Sequence, residues 1–324
     1  MRKAKWFVLG MALVLSCNGN TNDSRLLSNS SGNINDLSVV VDNLLWEGKV
    51  GQSIRETIGA PVYGLPQEEP LFSMGHIPPQ IFSDFATKNR TVLKVEKGKA
   101  ADTKFLKDVY AKPQKVVLIT GMTDLEIIEQ IQSKAERIIS AFKNEEIKEK
   151  QRRIRISLHK HNNIEKSLGL SINFPTAYRI AKEDSSFFWI RRDTETGSRN
   201  ILLYQMPLTA VSKGDSAIAD VIKMRDSIGE KYIPGPIEGS YMITEKAYTP
   251  FMYTTIIDNK PTLETKSTWE VKNAFMAGPF INYAIEDKLN NRLIIAEGFA
   301  SAPSAEKRDQ MFELEAIIRS IKIK

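Results

Sequence analysis

One cysteine in 324 residues, Cys17, does most to limit what this chain can fold into. No disulfide can close within the chain, no zinc site can be built on thiolates, and no two-cysteine redox motif exists. Stability therefore has to come from burial. A chain of this length can supply it, since about 300 residues remove roughly 75% of their unfolded surface from water. The composition fits a globular protein, with 42% hydrophobic and 26% charged residues. The length predicts about two domains.

Cys17 also closes an N-terminal pattern. Arg2, Lys3 and Lys5 form a basic start, and Trp6 to Leu15 is apolar, relieved only by Gly10. That is the pattern of a secretory signal peptide, too short to remain in a bilayer as a spanning helix. Val14-Leu15-Ser16-Cys17 resembles a bacterial lipobox. The resemblance implies a lipid on Cys17, cleavage just before it, and a membrane partner reached through that lipid. Asn18 rather than Asp follows the cysteine, which points to the outer membrane. Asp23 is the single acid from Asn18 to Ser24, which favours a body facing the periplasm over surface display. Removal of the leader takes three basic residues and halves the formal surplus of +6. The mixed charge that is left gives no ground for nucleic-acid binding.

The expected organisation is a leader over 1–17, a tether over 18–36, an N-terminal domain over 37–145, a connector over 146–167 and a C-terminal domain over 168–324. The tether is rich in Asn, Ser and Gly, and as a coil of about 18 residues it would span ~25 Å. In the N-terminal domain, Leu37–Val41, Thr91–Val95 and Lys115–Thr120 read as strands, and Gly51–Ile58 as a short helix. Thr123-Asp124-Leu125-Glu126 reads as a capping box for a helix with Ile127, Ile131, Ile138 and Phe142 on one stripe. The connector is dense in charge; Glu146–Lys150 favours a helix, and Ile154, Ile156 and Leu158 alternate like a strand. The C-terminal domain is mostly strand: Gly169–Phe174, Tyr178–Ala181, Phe187–Arg192, Asn200–Met206, Phe251–Ile257, Thr262–Val271, Pro279–Ile285 and Arg292–Ala300. It carries one amphipathic helix over Asp215–Ile228 and a last one capped by Ser304, with Met311, Leu314, Ile318 and Ile321 inward. The fold class is α+β, antiparallel sheets packed with helices, in two α/β-sandwich-like units. Each unit ends in strands followed by a helix, the pattern a diverged duplication would leave.

No motif names a reaction. His159 and His161 would share a face, and could share a metal, only if 154–161 were a strand. No acid nearby completes such a site, and His76 reads as a loop residue, so no metal or other cofactor is expected. Ser-x-x-Lys occurs at Ser140/Lys143, Ser157/Lys160 and Ser304/Lys307 without its companion motifs. Glu68 and Glu69, held between Pro66 and Pro70, and the distant Glu238 are the acids a glycan or peptidoglycan hydrolase would use. The Gly/Pro loop Pro234-Gly235-Pro236-Ile237-Glu238-Gly239, with Tyr241, is the candidate binding rim, because glycines admit close backbone approach. Trp46, Trp189 and Trp269 with Phe187, Phe188, Phe275 and Phe280 are candidates for an apolar or sugar-binding wall, although strand aromatics commonly form core.

Lys231–Glu245, Thr268–Asp287, Asn291–Pro303 and Lys307–Ile318, together with the loop Leu65–Phe72, resemble a family of Bacteroidota lipoproteins catalogued as a domain of unknown function. The resemblance spans nearly all of the chain after the leader. It implies an envelope location and no activity. In fold alone, Gly169–Ile180 and the closing strands and helix are similar to the α/β sandwich of photosystem P-subunit extrinsic proteins. The expected function is a lipid-anchored envelope protein that binds or scaffolds an envelope protein or peptidoglycan. The alternatives are a hydrolase using Glu68, Glu69 and Glu238, or a carrier of an apolar ligand between the two domains.

Overall fold

The structure is a computed structural model that describes residues 26–303 and 305–324. The expectations for Cys17 and for the Ser304 cap lie outside the described residues. In the N-terminal unit the elements are β1 (Asp36–Val40), α1 (Asn43–Glu47), α2 (Lys49–Thr57), β2 (Ser73–Ile77), β3 (Thr91–Lys97), β4 (Asp102–Lys107), β5 (Lys115–Gly121), α3 (Asp124–Ser133) and α4 (Ala135–Ile154). The C-terminal unit holds α5 (Asn163–Leu168), β6 (Arg179–Asp184), β7 (Phe187–Thr194), β8 (Gly197–Pro207), α6 (Ala217–Tyr232), β9 (Met242–Thr244), β10 (Phe251–Ile257), β11 (Lys260–Val271), β12 (Ala274–Asp287), β13 (Arg292–Ser301) and α7 (Arg308–Ile318). The chain is α+β. Among the described residues no helix is long and apolar enough to cross a membrane.

The first sheet has the order β2-β1-β3-β5-β4. The expected antiparallel pairing is found only at its β5–β4 edge; β1–β2, β1–β3 and β3–β5 are parallel. The strands explain this. β1 and β5 are buried on both faces, at Val39, Val40, Val116, Val117 and Ile119, and a strand covered on both sides suits parallel pairing. One face packs Val39, Leu93 and Val117 against Ile54, Ile127, Ile138 and Phe142 of α2, α3 and α4. The helix expected after Thr123 is two helices, broken at Lys134, whose φ of −116° and ψ of 12° leave the α region. Thr123 accepts from the Glu126 backbone as expected of a cap, and Glu126 reaches back to the Met122 N–H.

The second sheet runs β9-β11-β12-β13-β8-β7-β6, with β10 also on β11, and every pairing is antiparallel. The two units thus differ in strand direction and connection, which removes the duplication pattern suggested by the order of elements. On one face α6 covers Phe187, Leu202, Tyr204 and Trp269. Its buried stripe includes a charge, Arg225, whose guanidinium donates to Glu297 at 3.0 Å and lies 3.9 Å from the Phe280 ring. The other face packs Leu203, Ile281, Tyr283 and Ile294 against Leu314, Ile317 and Ile318 of α7.

α7 is the keystone between the units. Every residue from Gln310 to Ile318 is buried. Its second side meets α4, where Ile147 packs with Phe312 and Ala316 and Gln151 donates to the Ala316 carbonyl at 3.0 Å. Its N-terminus is held by the first unit: both oxygens of Glu69 accept from the Lys307 N–H, and one also from the Arg308 N–H, at 2.8 to 3.0 Å. A carboxylate there satisfies orphan donors and meets the positive end of the helix dipole.

The charge-dense connector is packed structure. α4 continues to Ile154, so no strand forms at Ile154–Leu158, and Glu145, Glu146 and Glu149 are buried on it. Glu146 forms a two-bonded pair with the fully buried Arg90, at 2.9 and 3.0 Å. The same pair anchors the end of the expected tether, because Asn35 donates its N–H to Glu146 and Arg90 donates to the Asn33 carbonyl. Ser28–Asn29 pairs with Ala111–Lys112. The residues from Ser28 onward therefore belong to the folded unit.

Candidate functional site

Between the units lies a cavity of about 390 Å³, within the roughly 300–1,000 Å³ typical of small-molecule sites. Three elements build it. The strap after α2 contributes Ile58, Pro61, Val62, Tyr63 and Leu65; α4 contributes Ile139 and Lys143; the far wall is Lys266, Phe280 and Ile281 of β11 and β12 with Met311, Phe312 and Glu315 of α7. The strap passes tightly over β11 at Gly64. Its φ is +86°, and a Cβ there would lie 2.8 Å from the Lys266 Cβ, so a side chain would force the strap off the sheet.

The walls are mostly aliphatic and aromatic, and three of their charged residues, Lys143, Lys266 and Glu315, belong to one network. Lys143 Nζ pairs with Glu315 Oε1 at 2.7 Å, and Arg319 donates to the same oxygen at 2.8 Å. Arg319 also reaches Glu264 Oε2 at 3.1 Å, and Lys266 pairs with Glu264 Oε1 at 2.9 Å. This is an alternating chain of five charges, with three cations for two carboxylates. Burial alone would raise Glu315, but Lys143, Arg319 and Lys266 outweigh it and hold the acid well below the usual carboxylate range. Burial lowers Lys143 below an ordinary lysine, against the pull of Glu315 and with help from Lys266 and Arg319. Burial would lower Lys266 too, but Glu264 and Glu315 raise it. The two lysines therefore shift in opposite directions, Lys266 up and Lys143 down.

A model of the family described as a domain of unknown function, DUF4837, matches residues 157–320, half of the chain. The chain belongs to the DUF4837 family. A second domain of unknown function, DUF8532, matches residues 30–155. No curated protein matches. Among solved structures, the Ran-binding protein Mog1p of Saccharomyces cerevisiae is similar at 10% identity and a TM-score of 0.33, over 48% of this chain and 89% of its own. LpqN of Mycobacterium tuberculosis, described as involved in cell envelope biogenesis, is similar at 13% identity and 0.29, over 47% and 82%.

In the DUF4837 half, the Pro234–Tyr241 loop divides. Pro234, Gly235 and Pro236 line a second cavity of about 240 Å³, with Trp189, Trp269, Met276 and Phe299. Glu238, Gly239 and Tyr241 do not line it; Tyr241 is engaged by Lys272 Nζ at 2.7 Å. Both indole N–H groups there are already used, Trp189 on Asn200 and Trp269 on the Ala300 carbonyl. Phe187, Phe188 and Phe280 are core, Phe275 is fully exposed, and Trp46 stacks on His76 in the other unit.

The acids of the hydrolase alternative do not assemble. Glu69 is spent on the α7 cap, Glu68 is exposed, and the exposed Glu238 lies outside the interunit cavity. His159 and His161 lie in a loop, with ring centroids 4.9 and 4.8 Å from that of Phe174. Among the described residues no group of three metal-ligating side chains occurs.

The charged side of the cavity was not legible in advance. Lys143 entered only as part of one chance Ser-x-x-Lys match, and Lys266 and Glu315 not at all. A signal did exist on α7. Met311-Phe312-Glu313-Leu314-Glu315-Ala316-Ile317-Ile318 places two acids inside an otherwise apolar run, and a helix apolar all round is a buried one. Its acids then need buried partners.

Proposed function

We propose that this DUF4837 protein is a cell-envelope binding protein that holds an apolar, chain-like ligand between its two units. The observation that carries the reading is the aliphatic and aromatic cavity closed by the Ile58–Leu65 strap, α4 and α7. The envelope placement rests on the lipobox-like stretch ending at Cys17 and on the Bacteroidota lipoprotein resemblance. In that reading Cys17 anchors the protein to the inner leaflet of the outer membrane, and the body faces the periplasm, within reach of peptidoglycan or a neighbouring envelope complex. A carrier explains the cavity and needs no assembled catalytic set. A hydrolase would need convergent carboxylates, and Glu69 is committed to a helix cap.

The test is ligand capture by the full-length protein. Native mass spectrometry of protein extracted from its own membranes should show bound lipid-like mass, and the purified protein should enhance the fluorescence of the neutral probe N-phenyl-1-naphthylamine. Ile139→Trp, which fills the cavity from α4, should abolish the enhancement while the circular dichroism spectrum is kept. Unchanged probe binding in that variant would place the apolar site elsewhere and overturn the reading. Metabolic labelling with a fatty acid tests the anchor separately: Cys17→Ser should lose label and leave the membrane fraction.

A further inference from the structure

We infer that the ligand of the interunit cavity carries a single negative charge at one end, so that it is a carboxylate-headed aliphatic chain; this rests on the proposed binding role of the cavity. The argument is one of charge balance in a poorly solvated place. Five charged side chains join in one connected chain: Lys143, Glu315, Arg319, Glu264 and Lys266. Glu315 and Glu264 are 6 and 7% exposed, and the three cations are 16 to 21% exposed. Two carboxylates cannot neutralise three cations. A surplus positive charge beside apolar walls is costly unless a counter-charge meets it.

The placement of the surplus decides which molecule completes it. Arg319 is doubly engaged, by Glu315 and Glu264, and it does not line the cavity. Lys143 and Lys266 each have one acidic partner and both line it. An ammonium offers three donors, so each lysine can turn a further N–H toward an occupant without releasing its glutamate. The remaining charged linings do not answer this need. Glu136 is exposed, and Arg308 is bound to Asp309, the Pro70 carbonyl and Ser73. One missing negative charge matches a carboxylate at neutral pH. A phosphate monoester would bring about −1.5 to −2 and overshoot. The apolar remainder, from Ile58, Val62 and Leu65 to Ile281 and Met311, fits a hydrocarbon tail.

Three probes of one chain length separate this inference from the reading beneath it. Isothermal titration calorimetry on the full chain would use decanoate, decan-1-ol and decyltrimethylammonium. Decanoate should bind at least about tenfold more tightly than decan-1-ol, a difference of about 1.4 kcal/mol, and the cation should give no measurable heat. Lys266→Met, which leaves Glu264 paired with Arg319, should bring decanoate and the alcohol within about threefold of each other, with the alcohol's affinity unchanged. Equal binding of acid and alcohol by the wild-type protein, or preference for the cation, would overturn the inference and leave the apolar cavity standing. Binding of none of the three would remove the cavity reading itself. The wild-type series decides even if the variant does not fold.

Discussion

The two flanks of α7 show opposite ways of burying an acid. Glu313 and Glu315 are two residues apart, and so point to nearly opposite sides of the helix. On one flank Glu313 is saturated: Lys150 at 2.6 Å, Arg199 at 2.8 Å, Arg192 at 3.3 Å and the Tyr178 hydroxyl at 2.8 Å all converge on it. Glu313 does not line the interunit cavity. On the other flank Glu315 shares its cations with Glu264, and the chain they form ends at two lysines that line the interunit cavity. Saturation fixes geometry, while an incompletely balanced chain keeps a place for something else. The same helix thus acts as a structural rivet on one side and as a wall of the interunit cavity on the other.

The largest effect that can break this comparison is on the saturated flank. Glu313→Ala strands three cations around an unfilled hole. Because those partners are 20 to 33% exposed, the loss should sit near the low end of a broken buried pair, about 3 kcal/mol, read as a shift in the urea midpoint. A loss under about 0.5 kcal/mol would mean that the flank holds nothing together.

Acid should reproduce this effect without mutation. Burial would raise Glu313, but Lys150, Arg199 and Tyr178 pull it from 4.5 down to about 2. A carboxylate depressed in the folded state gives stability that is complete above its unfolded pKa and is lost as pH falls through the folded one. Unfolding free energy should therefore fall between pH 4.5 and 2, by up to about 3 kcal/mol from this group. Glu313→Ala should flatten that part of the profile. An unchanged acid limb in the variant would show that other carboxylates set it.

Glu69→Ala should cost less, about 1–2 kcal/mol, as lost helix caps do, and hydrogen exchange should rise first at the N-terminal turn of α7. It sharpens the comparison because that turn carries Arg308, Met311 and Phe312 of the cavity wall. Probe affinity should fall while the Tyr178 environment, followed by near-ultraviolet dichroism, stays unchanged. Lys143→Met should be the mildest. Glu315 keeps Arg319, and removing an ammonium lowered by burial also removes its desolvation penalty, so stability should change by under about 1 kcal/mol. A loss as large as that of Glu313→Ala would make the two flanks equivalent.

Strand positions were legible in both sheets, including strands buried on both faces. The strands Phe251–Ile257, Thr262–Val271 and Arg292–Ala300 were readable from their residue patterns, and the β10, β11 and β13 boundaries lie within two residues of them. What was not legible was strand direction and the partners of buried charges. The first sheet's strands look alike whether parallel or antiparallel, because a strand buried on both faces has no alternation left to read. α6 hid Arg225 on its inner stripe because its partner, Glu297, is supplied by a strand 72 residues away. The candidate site depends on pairings of this kind. Lys143 with Glu315 and Glu69 with Lys307 are meetings that neither local propensity nor spacing encodes. The Pro234–Pro236 loop could be named because glycine and proline mark turns by themselves; what faces it, Trp189 and Phe299, comes from strands far along the chain.

The place of α7 in the order of synthesis has its own consequence. The helix that joins the units is residues 308–318, and its cap is made 238 residues earlier. Until residues 308–318 have been made, the apolar face of the second sheet and the facing side of α4 have nothing to close on. Long-range closure of this kind comes late, so a chain in transit stays unfinished at its centre. A product lacking residues 308–318 loses its middle, and it would present that exposed interior to any protease that surveys it.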